Sequence, residues 1–356
     1  MERNIHIGLI GFGMSGQVFH APFITNVPGL HLAKIRETRP ENIALAQERY
    51  PQAEIVQDVK AIFEDAAIDL VVLATPNVSH LPLAREALNA GKHVVVEKPF
   101  TVTSAEADEL TALAKSKGKL LTVYQNRRWD SDFKTIRKIL DGNLLGHVVE
   151  YEAHFDRFRN FLKPNTWKEE SAPGSGILYD LGSHLIDQAL CLFGLPEEVS
   201  AELRTQRPNS QIVDNFQLML HYPTLRVILK AGMLVREPGP RYTLHGDRGS
   251  FLKYGLDVQE AALKEGKAPK GTADWGIEPE ALWGTLNTTL HGLHFAGKLE
   301  SETGDYTGFY ENVYQAVTGT AELAVKPEEA RNTIRVIELA MQSHTEKKVL
   351  RFHKSS

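Results

Sequence analysis

The chain has 356 residues, enough for about two domains of roughly 150 residues each. Its 40 lysines and arginines against 45 aspartates and glutamates leave a net charge of −5, which argues against a nucleic-acid partner. With 42% hydrophobic and 24% charged residues, the composition is that of a soluble globular protein and excludes a disordered or fibrous one.

Cysteine usage and the hydropathy pattern indicate a cytoplasmic protein. The single cysteine, Cys191, excludes an intrachain disulfide and a zinc site made of several thiolates, and its apolar neighbours predict a small buried side chain. The N-terminus runs into a predicted strand without the apolar segment of a signal peptide. Since no uncharged stretch suits a bilayer core, we expect no membrane association.

Between residues 5 and 124, short β-branched runs alternate with amphipathic stretches. This alternation is typical of an α/β fold with a doubly wound parallel sheet and helices on both faces. The predicted strands are Ile5-Ile10, Leu30-Arg36, Glu54-Val56, Asp69-Ala74, His93-Glu97 and Leu120-Tyr124. Thr103 and Glu106 form a capping box ahead of one of the helices. Six strands are the number of a complete dinucleotide-binding domain.

After Asp130 the pattern changes to that of a second, α+β domain. A predicted helix near 132–140 precedes strands of alternating polarity at 148–155, 216–222 and 226–231, as in an antiparallel sheet with one covered face. We therefore predict a first domain over 1–125 and a second over 126–356. An amphipathic helix over 327–342 can pack back on the first domain. The segment 275–300 is compatible with a lid or with a subunit contact.

A glycine-rich turn follows the first predicted strand. Gly11, Gly13 and Gly16 make a G-x-G-x-x-G sequence that permits a tight turn and close approach of the main chain to a pyrophosphate. Glu37, at the end of the second strand, stands where an acidic residue binds a ribose hydroxyl. Arg36 and Arg39 flank it and can hold the 2′-phosphate of NADP instead. The sequence therefore predicts NAD(P) and leaves the choice between NAD and NADP open.

Three further polar side chains suit proton chemistry. Lys98 follows Glu97 at the end of a predicted buried valine run and is expected to point into the cleft at the carboxyl edge of the sheet, although a surface lysine beyond a strand is the alternative interpretation. Asp180 and His184 share one face if the segment is helical by residue 180. Histidine suits acid/base catalysis near neutral pH, but this spacing also fits a structural capping histidine. His291 and His294 lack a nearby acidic partner, and we predict no metal site.

The set of motifs, in this order along nearly the whole chain, resembles the Gfo/Idh/MocA oxidoreductases and within them the subgroup of scyllo-inositol dehydrogenases. The motifs are the glycine-rich turn, Thr75-Pro76 with His80, Glu97-Lys98-Pro99, Asn126-Arg127-Arg128-Trp129 and Asp180 to Asp187. The resemblance implies a Rossmann domain followed by an open-faced, mainly antiparallel sheet that serves oligomerisation. It also implies that a homo-oligomer and a small polyol or sugar are the partners.

The resemblance assigns a role to each matching position. Catalysis would rest on Lys98 and His184, with Asp180 tuning the histidine or binding substrate. The predicted cofactor-binding residues are Gly11, Phe12, Gly13, Met14, Gly16, Glu37, Thr38, Arg39, Thr75, Pro76, Asn77, His80, Glu97, Lys98, Pro99 and Asn126. The predicted substrate-binding residues are Arg127, Trp129, Arg157, Trp167, Asp180 and His184.

The implied reaction is hydride transfer between a secondary alcohol and a ketone on a sugar or cyclic polyol. Two alternatives stay open at this stage. One is a nicotinamide-dependent glycosidase, which oxidises its substrate transiently and shows no net redox change. The other is a cofactor sensor without catalysis, which the presence of Lys98, Asp180 and His184 argues against.

Overall fold

The computed structural model describes residues 3–164 and 169–353. They form two compact units, and neither unit is continuous in sequence. The first runs to Trp129 and adds the segments Gln259–Trp275 and Asp305–Arg331. The second comprises Asp130–Val258, Gly276–Gly304 and the chain from Asn332 onward. The first unit thus includes two segments that lie far beyond the 1–125 range predicted from the sequence.

Helices and strands alternate regularly in the first third of the chain. The strands are β1 (Ile5–Ile10), β2 (Leu30–Arg36), β3 (Glu54–Val56), β4 (Leu70–Leu73), β5 (His93–Val96), β6 (Leu121–Val123), β7 (Val148–His154), β8 (Glu198–Arg204), β9 (Asn215–His221), β10 (Arg226–Gly232), β11 (Tyr242–Gly246), β12 (Gly249–Lys253), β13 (Gly284–Leu290), β14 (Leu293–Leu299) and β15 (Leu350–Arg351). The α-helices are α1 (Ala21–Ile24), α2 (Pro40–Arg49), α3 (Lys60–Phe63), α4 (His80–Asn89), α5 (Ser104–Lys117), α6 (Ser131–Asp141), α7 (Ser183–Phe193), α8 (Gln259–Lys264), α9 (Thr307–Val317) and α10 (Pro327–Glu346).

The first unit contains a six-stranded parallel sheet in the order β3-β2-β1-β4-β5-β6. This is the predicted doubly wound sheet, and each predicted strand agrees with the observed one to within one residue at either end. The strand order reverses beside β1, which pairs with both β2 and β4. In such sheets ligands bind beyond the carboxyl ends of the strands at that point.

Local sequence signals explain the ends of α5. The Thr103 hydroxyl accepts a hydrogen bond from the Glu106 amide at 3.3 Å, and the Glu106 carboxylate accepts one from the Thr103 amide at 3.2 Å. The predicted capping box is therefore confirmed. At the other end Gly118 takes the left-handed conformation, with φ of 60°, and stops the helix.

The second unit contains a nine-stranded sheet in the order β14-β13-β12-β11-β7-β10-β9-β8-β15. Its pairs are antiparallel except for β7 with β10. Alternate residues such as Tyr151, Leu218, Leu229 and Leu244 are fully buried on one face. The hairpin of β13 and β14 lies within the segment 275–300, for which the sequence predicted no strands.

The end of the chain forms the predicted amphipathic helix, which extends to Glu346. The boundary between the two units passes through this helix after Arg331. The prediction of a buried Cys191 is wrong, because its side chain is exposed in the last turn of α7, beyond the run of buried residues that ends at Ala189. In the described part of the chain, no helix combines the length and apolar character needed to cross a membrane.

Candidate active site

The three glycines of the turn after β1 differ in how much space a side chain would have at each position. Gly11 has φ of 97°, and a Cβ there would lie 2.3 Å from the Ala74 carbonyl oxygen. A Cβ on Gly16 would lie 2.3 Å from the Gly11 carbonyl oxygen. Both positions therefore need glycine for the fold itself. A Cβ on Gly13 would meet only the flexible end of Arg39, at 3.1 Å, so Gly13 leaves the main chain open to a ligand.

The other residues of this turn divide into buried and exposed. The Phe12 ring is fully buried and packs edge-on against Tyr50 at 5.9 Å. The Met14 side chain is 57% exposed. Gly16 begins a π-helical turn that ends at His20 and continues into α1. The turn thus presents main-chain amides at the carboxyl edge of the sheet, where a pyrophosphate fits.

Both carboxylate oxygens of Glu37, which follows β2, accept hydrogen bonds from protein groups. Its Oε1 accepts from the amides of Thr38, at 2.8 Å, and Arg39, at 3.1 Å. Its Oε2 accepts from Asn42 at 3.0 Å and from the Phe12 amide at 3.3 Å. Burial alone would raise the pKa of Glu37, but these hydrogen bonds and those from the Arg39 side chain lower it to about 2. The carboxylate is ionised at neutral pH.

Glu37 and Arg39, which predict opposite cofactors, bind each other. The guanidinium of Arg39 donates from Nη2 to Oε2 at 2.9 Å and from Nε to Oε1 at 3.2 Å. The Arg39 side chain is 55% exposed, whereas that of Glu37 is 4% exposed. The carboxylate therefore orients an arginine beside Gly13. The second flanking arginine, Arg36, donates from Nε to the Gln57 carbonyl at 2.9 Å.

His80 joins the loops after β4 and β5. It is fully buried, with Nε2 2.9 Å from the Thr75 carbonyl oxygen and Nδ1 3.0 Å from the Pro99 carbonyl oxygen. Burial lowers the pKa of His80. In the first loop Pro76 is exposed and Asn77 is buried. His80 therefore supports the shape of both loops, and its contact with a cofactor stays a prediction.

The loop after β5 carries the predicted catalytic lysine. The Lys98 side chain is half-buried, and the bond from Lys98 to Pro99 is cis. Glu97 is 8% exposed and accepts from the Lys98 amide at 2.7 Å. Burial would raise the pKa of Glu97, but hydrogen bonds from His20 and Ser15 and the charge of Lys98 lower it to about 2. An anionic carboxylate thus stands directly before Lys98.

The segment after β6 forms a short 3₁₀ turn over Asn126–Trp129. Asn126 and Arg127 are buried, and Nη2 of Arg127 lies 2.5 Å from Oε2 of Glu260 in α8. Trp129 packs edge-on against Phe309 at 5.6 Å. The ion pair orients Arg127, a residue predicted to bind substrate, from a segment distant in sequence.

In the second unit, a π-helical turn over Leu178–Gly182 leads into α7. The segment is thus helical by residue 180, which is the condition for Asp180 and His184 to share one face. Asp180 is half-buried in the π-helical turn, and His184 is 4% exposed in the first turn of α7. Arg157 lies over the Phe155 ring at 5.0 Å. Trp167 lies outside the described residues.

The predicted site residues thus divide between the two units. Those up to Trp129 belong to the first unit, and Arg157, Asp180 and His184 belong to the second. Sequence reasoning missed Asn42, Glu260 and His20, which are the partners of Glu37, Arg127 and Glu97. It also missed Tyr310, whose hydroxyl lies 2.6 Å from Nδ1 of His20. These residues lie far along the chain from the motifs or show no periodic pattern, so only the fold identifies them. Among the described residues, no group of histidine, cysteine and carboxylate side chains could hold a metal ion.

Comparisons with known proteins agree with this architecture. Residues 5–125 match the family model described as "Oxidoreductase family, NAD-binding Rossmann fold", and residues 137–352 match "Oxidoreductase family, C-terminal alpha/beta domain". The chain is 44% identical over 344 residues to the uncharacterized oxidoreductase YdgJ of Escherichia coli, covering 96% of this chain and 97% of that protein.

A second relative and a solved structure extend the likeness. The chain is 40% identical over 346 residues to scyllo-inositol 2-dehydrogenase (NADP(+)) IolW of Bacillus subtilis, covering 97% of this chain and 95% of that protein. The structure of the oxidoreductase YvaA from Bacillus subtilis superposes with a TM-score of 0.95 at 39% identity, over 99% of both chains. The chain belongs to the Gfo/Idh/MocA family of NAD(P)-dependent oxidoreductases.

Proposed function

We propose that this protein interconverts a secondary alcohol and a ketone on a sugar or cyclic polyol. The observation that carries the proposal is the placement of Lys98 two residues beyond the buried strand β5, next to the ionised Glu97. Because all strands of this sheet are parallel, the end of β5 lies on the same edge as the glycine turn after β1. The name of the Bacillus subtilis relative supports an inositol-like substrate.

The residues of the first unit fit a dinucleotide. The open main chain at Gly13 suits the pyrophosphate, and Glu37 with Arg39 suits the adenosine ribose and its substituent. Thr75, Asn77 and Pro99 belong to loops at the same edge. When bound, the nicotinamide supplies the acceptor or donor of the hydride.

Lys98 and His184 have different roles at the reacting oxygen. The ammonium of Lys98 donates a hydrogen bond to the reacting oxygen and stabilises the negative charge that develops there. His184 accepts the hydroxyl proton during oxidation and returns it during reduction. Its near-complete burial within α7 supports this role by limiting the number of ring orientations. Asp180 orients substrate or the imidazole, and Arg127, held by Glu260, binds a second hydroxyl.

A spectrophotometric screen tests the proposal. Inositols and aldoses, with ketone forms for the reverse direction, are mixed with the full chain and NAD(H) or NADP(H), and the absorbance of the reduced nicotinamide is followed. We expect stoichiometric change with at least one cyclic polyol or sugar. Release of an aglycone from a glycoside without lasting absorbance change would instead identify a glycosidase. Cofactor binding without turnover of any tested compound would identify a sensor.

The role of Lys98 is tested by Lys98→Met. We expect turnover to fall by about 10² or more while the Kd of the cofactor changes by less than about threefold, because the ammonium acts on the reacting oxygen. Lys117→Met is the matched control, since Lys117 is exposed at the end of α5. Equal losses of cofactor affinity and turnover in Lys98→Met would contradict the assigned role.

We further propose a cytoplasmic homo-oligomer that uses the second sheet. The half-exposed face of that sheet, with Glu150, Glu152 and Ile228, supports this assembly because these residues lie opposite the buried face. Light scattering of the full chain would show a mass above 39.7 kDa. A monomer at micromolar concentration would refute this assembly.

A further inference from the structure

An imidazole on the half-exposed face of the second sheet lies between two carboxylates. His154 ends β7, with Nε2 2.8 Å from Oε1 of Glu152 and Nδ1 2.8 Å from Oδ2 of Asp156. The three residues are spaced two apart along the chain, so their side chains lie on one face of the sheet. Each side chain is at most 22% exposed. Water therefore screens these contacts only in part.

The hydrogen-bonding capacity of imidazole fixes the charge of His154 in this position. An ionised carboxylate only accepts hydrogen bonds, so both ring nitrogens have to donate. A neutral imidazole has one N–H group and would direct the lone pair of its other nitrogen at a carboxylate oxygen. Burial lowers the pKa of His154, but the hydrogen bonds to Asp156 and Glu152 and the charges of both carboxylates raise it above its usual value. The geometry is thus that of an imidazolium cation.

A lysine on the neighbouring strand extends this cluster. Lys230 lies opposite His154 in the parallel pairing of β10 with β7, and its Nζ donates to Oε1 of Glu152 at 2.8 Å. Burial would raise the pKa of Glu152, but the hydrogen bonds from Lys230 and His154 lower it. The charged strip, as we term it, consists of Lys230, Glu152, His154 and Asp156, whose charges alternate in sign. It has no net charge when His154 is protonated and one negative charge when His154 is neutral.

Other charged and titratable groups surround His154 on the neighbouring strands. On the side of β10, Nε of Arg226 donates to Oε2 of Glu150 at 3.1 Å. On the side of β11, the His154 amide donates to the Arg241 carbonyl oxygen at 2.8 Å, and Nη1 of Arg241 donates to the His154 carbonyl oxygen. His245 in β11 lies opposite Glu150. Both arginines stay charged at any pH near neutrality, so the histidines are the members of this set that titrate there.

We propose that protonation of His154 controls the association of this face with a second copy of the chain. The inference rests on the proposed homo-oligomer, which uses the same face of the second sheet. Because the charged strip alternates in sign, a two-fold axis can place each of its cations opposite an anion of the second copy. Such an interface needs a counter-charge for every charge that it buries. For the strip, the protonated His154 supplies this counter-charge.

Loss of the proton from His154 removes the balance of charge. The neutral imidazole donates to one carboxylate and repels the other, and since Glu152 still has Lys230, Asp156 loses its donor. Burying an uncompensated carboxylate in each copy is costly. Association is therefore strong below the pKa of His154 and weakens as the pH rises through it. Because each copy contributes one proton, the Kd of a dimer rises by up to about 100-fold per pH unit in this range.

The first test measures self-association of the full chain. The Kd is determined by sedimentation velocity with fluorescence detection at about pH 6.5 and about pH 9.5, and we expect the wild-type value to rise at least about tenfold. His154→Gln should associate weakly at both pH values, because the amide carbonyl faces a carboxylate. Asp156→Asn should associate tightly at both, because the new amide can donate to a neutral imidazole, which then donates to Glu152.

His245→Gln is the matched control for the loss of an imidazole from this face. Nδ1 of His245 lies 2.8 Å from the Ser250 hydroxyl, so its removal should leave the pH dependence unchanged. A monomer at every pH would refute the proposed oligomer. A Kd that is equal at both pH values in wild type, or a pH dependence that persists in His154→Gln, would overturn the control by His154 and leave the oligomer standing.

The second test does not depend on association. The His154 ring is titrated by NMR in protein with ¹³C-labelled histidine, and its signal is assigned by its loss in His154→Gln. We expect His154 to titrate at a lower pH in Asp156→Asn than in wild type, because one of its two carboxylate acceptors is gone. The same titration curve in both proteins would overturn the proposal, since the imidazole would not be held as a cation between the two carboxylates.

Discussion

Arg39→Ala tests which cofactor the first unit selects. Arg39 is the partner of Glu37 through two hydrogen bonds, at 2.9 and 3.2 Å, and its Nη2 lies 3.1 Å from the place of a Cβ on Gly13. An arginine held in this way beside the turn suits the 2′-phosphate of NADP, and Glu37 then orients the arginine instead of binding the ribose.

The size of the effect follows from the exposure of the arginine. A hydrogen bond between charged groups contributes about 1.5–3 kcal/mol, or roughly 10- to 150-fold in Kd. Because the Arg39 side chain is 55% exposed, solvent screening places the effect at the lower end. We expect the Kd of NADPH to rise by about 10- to 30-fold and that of NADH by less than about threefold.

Titration calorimetry measures the Kd of NADPH and of NADH for wild type and Arg39→Ala. The smaller probes 2′-AMP and 5′-AMP, which differ in the position of the phosphate, are compared in the same way. Arg36→Ala is the matched control, because it removes the same charge from the same strand end while Arg36 is bound to the Gln57 carbonyl. Equal weakening of NADPH and NADH by Arg39→Ala, or a larger effect of Arg36→Ala, would refute this reasoning.

We also expect measurable effects from substitutions at Gly13, His184 and Asp132. Gly13→Ala should fold normally yet weaken dinucleotide binding by about tenfold or more in calorimetry, whereas Gly16→Ala should lower Tm because its Cβ meets the Gly11 carbonyl oxygen at 2.3 Å. His184→Ala should lower kcat by about 10²–10⁴ without weakening cofactor binding, measured by steady-state kinetics and titration. Asp132 is buried in the first turn of α6. Burial raises the pKa of Asp132 to about 6, so the folded state binds a proton that the unfolded state has lost, and stability falls as pH rises from about 4 to 6. In urea unfolding, Asp132→Asn should remove that fall and be about 1–3 kcal/mol more stable than wild type at pH 8.

For each of these substitutions, one result would contradict the expected effect. Unchanged dinucleotide affinity in Gly13→Ala would mean that the ligand does not approach the main chain there. Full turnover in His184→Ala would exclude the histidine from proton transfer. A stability difference between wild type and Asp132→Asn that is the same at pH 4.5 and pH 8 would mean that Asp132 does not titrate in this range.

The first sheet was predictable because its strands are short, buried on both faces and separated by clear helical signals. Val71, Val72 and Val95 are fully buried, and such continuous apolar runs identify central parallel strands. The hairpin of β13 and β14 was not predicted. It lies at the edge of the second sheet, where His294 and Phe295 are exposed, so its alternation of polar and apolar residues is weak.

The candidate site was predictable wherever a motif coincided with a strand end, as for Gly11, Glu37 and Lys98. The partners of those residues were not, because they depend on the tertiary fold. From the sequence, Glu37 favours NAD and Arg39 favours NADP. Only the side-chain geometry shows that the two residues form one ion pair. The exposure of Cys191 was missed for a similar reason, since apolar neighbours do not reveal which side of a helix faces outward.

The first unit is assembled from three separate stretches of the chain, and this affects how it folds during synthesis on the ribosome. Its sheet is finished by Val123, but Tyr310 and Phe309, which cover His20 and Tyr124, are translated much later. About 200 residues separate Trp129 from Arg331, which corresponds to roughly 10–40 s of synthesis. During that interval the first third of the chain lacks the aromatic side chains that later cover His20 and Tyr124, and exposed apolar surface of this kind makes a nascent chain prone to aggregation.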